Sequence, residues 1–301
     1  MSLETLTRCP LCSGSTFDPH LQVKDQTVSH GTFHIVRCKK CDFLFTNPRP
    51  SEEEISKYYD SENYISHHDE PTSLFANVYQ QVRNIAARDK LKLLNRYDVH
   101  AEKQILDVGC GTGFFLSTCK AKGWGITGTE PDPDARSVAA ERTQSPIYAS
   151  LFDDALAPRQ FTSITLWHVL EHVHRLNETL DWIHQHLAPK GTLFVAVPNP
   201  ESHDAQVFGT HWAAYDVPRH LYHFTKDTIS RLVQHHNFTV VDAKSMLFDA
   251  YYVSLLSNQY KTGSRKLIDS FLTGTLSNLK GYGTTVKNTN ASSIIYVIRK
   301  K

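Results

Sequence analysis

Ile105-Leu-Asp107-Val-Gly109-Cys-Gly111-Thr-Gly113-Phe-Phe-Leu116 is the stretch that decides the fold. Its first part, 104–108, is a short apolar run suited to a buried parallel strand, and it ends in glycines where strand would pass into helix. Gly109, Gly111 and Gly113 tolerate positive φ and leave no Cβ between backbone and ligand. The helix predicted over 114–122 begins with unpaired N–H groups. Residues 125–129 read as a second strand, with Glu130 at its end placed to accept hydrogen bonds from two ribose hydroxyls. A nicotinamide dinucleotide would use the same acid. Its fingerprint, however, is G-x-G-x-x-G, because a pyrophosphate must sit on the helix N-terminus, whereas here the run is G-x-G-x-G. Asp107, two residues before the first glycine, suits a ligand that carries an ammonium group.

Downstream, Pro131-Asp-Pro-Asp-Ala starts a helix through Glu141, and 147–149 reads as strand three. Strand four is 161–167, followed by Trp167-His168-Val-Leu-Glu171-His172-Val at the carboxyl end, where open α/β sheets bind ligands. Strand five, 191–197, lies in Leu187-Ala-Pro-Lys-Gly191-Thr-Leu-Phe-Val-Ala-Val-Pro198-Asn199. In this order the segments, from 103 to about 242 together with a last strand at 293–299, resemble class I S-adenosylmethionine-dependent methyltransferases. The resemblance is narrower to the branch with ubiquinone-type O-methyltransferases and many envelope-glycan and secondary-metabolite methyltransferases, where a His-x-x-Glu-His segment follows strand four. It implies an α/β fold, a Rossmann-like seven-stranded sheet with helices on both faces. The donor, S-adenosylmethionine, is then expected at Asp107, Gly109, Gly111, Gly113 and Glu130, with Asp107 on its ammonium group. Asp153 or Asp154 falls where the family often places a group near the adenine N6, with a solvated loop acid as the alternative, and Trp167 is placed with the donor site.

His168, Glu171 and His172 stand at i, i+3 and i+4 and share one face if the segment is helical. A hydroxyl nucleophile must lose its proton near neutral pH, where histidine titrates, so His168 is the expected general base. General-base help is worth about 10²- to 10⁴-fold, and alignment roughly 7–11 kcal/mol, so alignment matters more. The same residues, joined by His220 or His223, could instead hold a divalent ion that acidifies a bound hydroxyl. Small-RNA 2′-O-methyltransferases and some ubiquinone-type enzymes resemble this with Glu-x-x-Glu-His, and here His168 replaces the first Glu. With 17 histidines in the chain, a purely structural cluster is the third reading. The loop from Phe208 to Tyr222 mixes aromatics and cations as a polar, stackable acceptor requires. Within it Arg219 reads as a grip on phosphate or carboxylate, or equally as a salt bridge.

Cys9-Pro-Leu-Cys12 and Cys38-Lys-Lys-Cys41 have zinc-ribbon spacing, with 25 residues between the pairs. Each C-x-x-C turns two thiolates onto one ion, and two such knuckles close a tetrahedral structural Zn²⁺ site. A redox dithiol would need one C-x-x-C at a helix start. Cys110 and Cys119 read as packing residues. The expected organisation is a zinc-ribbon module at 1–48, a helical linker and cofactor cover at 49–100, and the methyltransferase domain at 101–301. In the linker, Ser51-Glu-Glu-Glu54 reads as a capped helix start and 73–97 as a long amphipathic helix, with Tyr58, Tyr59 and Tyr64 as pocket walls or inter-module packing. A helix over 225–237 and strand six over 238–243 follow. Residues 249–280, with Leu255, Leu256, Leu267, Ile268, Phe271 and Leu272, read as a helical lid or core cover, or as a dimer face, leaving the oligomeric state open.

The 301 residues carry 32 basic and 31 acidic side chains, which argues against a chain-wide nucleic-acid footprint. No apolar stretch reaches membrane-spanning length, and no leader pattern opens the chain, so the cytoplasm is the expected location. The sequence thus predicts an enzyme that methylates oxygen on a small-molecule acceptor, a metabolite or a glycan or secondary-metabolite precursor. An RNA or other nucleic-acid methyltransferase is the enzyme-class alternative, and a non-catalytic binding module with the same fold is the other.

Overall fold

The computed structural model describes residues 2–59, 74–283, 285 and 288–301, and side chains in the first long helix from residue 80 onward. Tyr64 and Ser73 lie outside the described residues. The chain opens with β1 (Leu3–Glu4), β2 (Phe17–Lys24), β3 (Thr32–Cys38), β4 (Leu44–Thr46) and β5 (Arg49–Pro50). Helix α1 (Leu74–Tyr97) leads into β6 (Gln104–Val108), α2 (Phe114–Lys120), β7 (Gly125–Thr129), α3 (Pro133–Thr143), β8 (Ile147–Tyr148) and β9 (Phe161–Trp167). Then come α4 (Leu176–His186), β10 (Leu187–Pro198), α5 (His203–Phe208), β11 (Tyr222–His223) and α6 (Lys226–His235). The last elements are β12 (Phe238–Ser245), α7 (Leu247–Thr262), α8 (Leu267–Gly281) and β13 (Ser293–Lys300).

A seven-stranded sheet has the order β12-β13-β10-β9-β6-β7-β8. From β6 the chain builds outward through β7 to β8, then returns to lay β9 on the other flank of β6. That reversal opens the crevice of a doubly wound sheet at the carboxyl ends of β6 and β9. Both strands are parallel neighbours, with Asp107 paired to Thr165 on one side and to Gly128 on the other. Ile105, Leu106, Ile164 and Leu166 are fully buried, the near-continuous apolar runs that a covered parallel strand needs. Helix α3 starts where the sequence reading put it: Asp132 caps it by accepting the Ala135 N–H at 2.8 Å, and Pro133 takes the first turn.

By contact the chain forms two compact units, Ile65–Trp167 with Asp181–Phe194 and Ile298–Lys301, and Met1–Tyr64 with His168–Leu180 and Val195–Val297. The second contains an antiparallel sheet ordered β11-β4-β3-β2. Its edge strand comes from far along the chain, Tyr222 opposite Phe45 and His223 opposite Leu44. The cysteine-bearing N-terminal segment therefore shares both sheet and core with the loop after β10: Phe33, Ile35 and Leu44 pack with Trp212, Tyr215 and Val217.

Three local expectations change. The 51–54 segment leads into a one-turn 3₁₀ helix, Ile55–Tyr58, and the Tyr58 carbonyl accepts from Arg219 at 2.8 Å. Residues 249–280 split into two helices, α7 closing at Gly263 with φ +76°. Leu256 covers core as expected, but Leu267, Ile268, Phe271 and Leu272 on α8 are exposed, so that helix is not core cover.

Candidate functional site

The glycine loop divides its labour. Gly109, Gly111 and Gly113 have φ of 68°, 53° and 72°, the left-handed region that disfavours side chains. A Cβ on Gly113 would lie 3.0 Å from Ala139, so that residue serves the packing of α2 on α3, whereas a Cβ on Gly111 would meet no protein atom within 4 Å. The space over Gly111 is therefore open. Glu130, nearly buried, accepts the Gly111 N–H at 2.8 Å on Oε2 and the Asp132 N–H at 3.1 Å on Oε1, which fixes the carboxylate beside that space. Arg142 clamps the loop by donating to the carbonyl and hydroxyl of Thr112, both at 2.7 Å.

Asp107 is buried, and its Oδ1 accepts the Thr165 hydroxyl at 2.6 Å. Burial pushes its carboxyl up to about 7; Thr165 and Lys90 pull it down, and Glu130 pushes it further up. A ligand ammonium group would reverse that shift. S-adenosylhomocysteine should therefore bind less tightly as pH falls below about 7, by up to about tenfold per pH unit. Calorimetric titrations at pH 8, 7 and 6 test this, and an unchanged affinity would remove Asp107 from the ammonium site.

Trp167 has its ring edge-on to Phe115 at 5.6 Å, with the Lys90 ammonium 4.4 Å from its centroid. Its indole N–H is buried without a partner among the described residues. Asp153 caps the 3₁₀ turn at Asp154–Leu156 by accepting the Ala155 N–H at 3.0 Å, the loop-acid alternative. Cys110 and Cys119 are buried, and burial drives both thiols up, as expected of packing residues.

The histidines lie in the other unit, and the chain passes straight from Trp167 at the end of β9 to His168. The segment is not an α-helix. His168 has φ 57°, and only Leu170–His172 form a 3₁₀ turn. This rotates His168 between two carboxylates, Nε2 to Asp249 at 2.9 Å and Nδ1 to Glu171 at 3.2 Å. Burial alone would lower its pKa, but Asp249 and Glu171 push it to about 10. With a carboxylate beside each ring nitrogen, this geometry speaks against the expected role of His168 as general base. Asp249, 81 residues further on, left no local mark in the sequence. Thr165 did leave one, as a polar residue inside a buried strand.

His172 and His220 have the opposite character. The Nδ1 of His220 lies 2.9 Å from the Ala214 carbonyl and that of His172 3.1 Å from the Arg219 carbonyl. A carbonyl only accepts, so Nδ1 of His220 carries the proton and its Nε2 lone pair is left over. His172 Nδ1 also lies 2.8 Å from the Tyr59 hydroxyl, making Tyr59 a wall of this pocket, while Tyr58 is buried against Phe33. Burial keeps both imidazoles neutral. Glu171 is fully buried, and its Oε2 has no hydrogen-bond partner among the described residues. Glu171, His172 and His220 bring ligand atoms within 4.8 Å of one another; His223 stays outside, against Thr46.

Arg219 is a salt bridge rather than a ligand grip. It is buried, and donates to both Asp216 oxygens, to Asp25 at 3.2 Å and to the Tyr58 carbonyl at 2.8 Å. Because removing one partner leaves buried charges unpaired, Arg219→Ala should cost about 3–5 kcal/mol in urea unfolding. A loss under about 1 kcal/mol would contradict the pairing.

The four ribbon cysteines converge, with all four sulfurs within 4.8 Å. Cys9 and Cys41 are 3.5 Å apart and Cys12 and Cys38 3.6 Å, close to the edge of about 3.8 Å that a tetrahedron of 2.3 Å Zn–S bonds requires. The two knuckles repeat one hydrogen-bond pattern. Ser13 N–H reaches the Cys9 carbonyl and Asp42 N–H the Cys38 carbonyl, both at 2.9 Å, and both residues have φ near +57°. The donor set fits structural zinc.

A doubly wound sheet with an acid, a glycine loop and a second acid at its crevice defines the class, a Rossmann-like S-adenosylmethionine-dependent methyltransferase. The chain belongs to the methyltransferase domain family, whose model matches residues 78–243. Curated relatives include the ubiquinone biosynthesis O-methyltransferases of Pseudomonas putida (strain W619), 28% identical, and Pseudomonas syringae pv. tomato, 29% identical, each over 135 residues. Each match covers 42% of this chain and 58% of the relative, so the chain spans little more than half the length of these relatives. Among solved structures, a mycolic acid cyclopropane synthase complexed with SAH and CTAB shares the fold at TM-score 0.50 and 14% identity, over 70% of this chain and 83% of its own.

Proposed function

We propose that this protein transfers the methyl group of S-adenosylmethionine to an oxygen of a small acceptor, a metabolite or a glycan or secondary-metabolite precursor. The observation that carries the reading is the open space over Gly111, with Glu130 fixed beside the loop and Asp107 buried at the end of the preceding strand. When bound, the donor supplies an electrophilic methyl on sulfonium, whose C–S bond breaks as the new C–O bond forms and the electron pair stays on sulfur. Asp107 holds the ammonium group and Glu130 the ribose. His172, kept neutral by burial, takes the place of His168 as the proposed proton acceptor, with the Tyr59 hydroxyl 2.8 Å from its Nδ1. His168, fixed between Asp249 and Glu171, positions Glu171. Tritium-labelled methyl donor, offered with phenolic, sugar and amine acceptors, tests the reading. Label in an ether supports it, and label confined to amines or to RNA would reject oxygen of a small molecule.

A second reading has a specific observation behind it. Glu171, with one buried oxygen that no described residue bonds, and two neutral imidazoles bring ligand atoms within 4.8 Å of one another, a donor set that suits a cation. Glu171, His172 and His220 would hold a divalent ion, with both histidines oriented by carbonyls behind them. Such an ion would acidify an acceptor hydroxyl. Titration of metal-stripped protein with Mn²⁺ should then show a site that His220→Ala removes, and no such site would leave the metal-free route.

The four cysteines are proposed to hold structural Zn²⁺, which closes their shell and leaves no place for substrate.

A further inference from the structure

Helix α8 is built inside out. Its buried positions are Ser270, Gly274, Ser277 and Gly281, while Leu267, Ile268, Phe271, Leu272, Leu276 and Leu279 are exposed, Ile268 by 77% and Leu279 by 73%. An ordinary surface helix turns its apolar stripe to the core and its polar face to water. The inversion is locked. A Cβ on Gly274 would sit 2.7 Å from the Tyr251 ring, so α8 lies directly on α7. Its inward hydroxyls are bonded, Ser270 Oγ accepting from Asn258 at 2.8 Å and Ser277 donating to buried Asp204 at 2.6 Å. Rolling the helix to hide its leucines would leave Asp204 short of a donor. Tyr252 on α7 and Tyr282 after α8, each 61% exposed, add amphipathic rings to the same hairpin.

The charge around this face has one dominant sign. Lys261, Arg265, Lys266 and Lys280 are exposed on the hairpin, against a single exposed acid, Asp269, since Asp249 is bound to His168. Like charges would oppose a second copy, whereas anionic headgroups would complement them. Fifteen residues make a helix of about 22 Å, short of the roughly 30 Å hydrocarbon core, and no described helix is long and apolar enough to cross a membrane. We propose that the outward face of the α7–α8 hairpin docks the protein on an anionic lipid bilayer, α8 lying in the plane of the headgroup–acyl boundary.

The test is flotation of the full chain with vesicles of phosphatidylcholine alone or with about 30% phosphatidylglycerol. Binding to the anionic vesicles should be at least about tenfold the stronger and should weaken in high salt. Ile268→Ser with Leu272→Ser and Leu279→Ser should abolish it, and Lys261→Glu with Lys266→Glu should reduce it about tenfold. Both variants should keep S-adenosylhomocysteine affinity, so loss of vesicle binding is read separately from loss of the donor site. Indifference of the wild type to vesicles would overturn the proposal. So would a dimer in sedimentation velocity that the serine variant dissociates, because the face would then belong to a second copy.

Discussion

Gly111→Val is expected to weaken S-adenosylhomocysteine binding by more than about 100-fold while the protein stays folded. Two effects act together. At φ 53° a β-branched residue is strained by about 1–2 kcal/mol, which pulls the loop away from the geometry that presents its N–H to Glu130. The added carbons also point where no protein atom lies within 4 Å, so they occupy that open space and not core. Gly113→Val separates the cases. Its side chain would drive into Ala139 and Thr143, at 3.0 and 3.1 Å, so it should lower stability first. Calorimetry and thermal melting on both variants check this; retained affinity in Gly111→Val would overturn the loop as donor site.

Cys38→Ser should empty the ribbon of zinc, from about one ion per chain to none, and lower the melting temperature by on the order of 10 °C. Zinc-finger peptides gain about 10–16 kcal/mol of apparent binding energy, and most of them unfold without the ion. Here the loss should be smaller, because β4 is also paired with β11, and Phe33, Ile35 and Leu44 sit in a shared apolar core. The damage should nonetheless reach the histidine pocket. Thr46, at the end of β4, donates to the His220 carbonyl at 2.8 Å, and the Thr46 N–H reaches the Leu221 carbonyl at 3.0 Å. Elemental analysis and calorimetry measure both effects. Folded wild-type protein that contains no zinc would remove the structural ion.

The glycine-loop site proposed for the donor was legible because its determinants are local. A buried parallel strand, glycines at positive φ and an acid one strand later each follow from a few adjacent residues, and 104–108, 125–129 and 161–167 fall as strands where the sequence reading put them. The histidine cluster depends on contacts between distant segments. Period-based reasoning set His168, Glu171 and His172 on one helical face, but a left-handed turn at His168 sends its ring to Asp249 and leaves Glu171 with His172 and His220. Nor could it place Tyr222–His223 beside Leu44–Phe45, a two-residue strand with no pattern of its own. On α8 the helical period was readable, but which stripe faces water was not, because small hydrogen-bonded residues took the inside.

The most direct measurement is calorimetric titration of the wild-type protein near pH 8 with S-adenosylhomocysteine and, in parallel, with NAD. Saturable binding of S-adenosylhomocysteine at one site per chain, with none of NAD, is the predicted result. Binding of NAD, or of neither, would contradict a methyl-donor site at Asp107, Gly111 and Glu130.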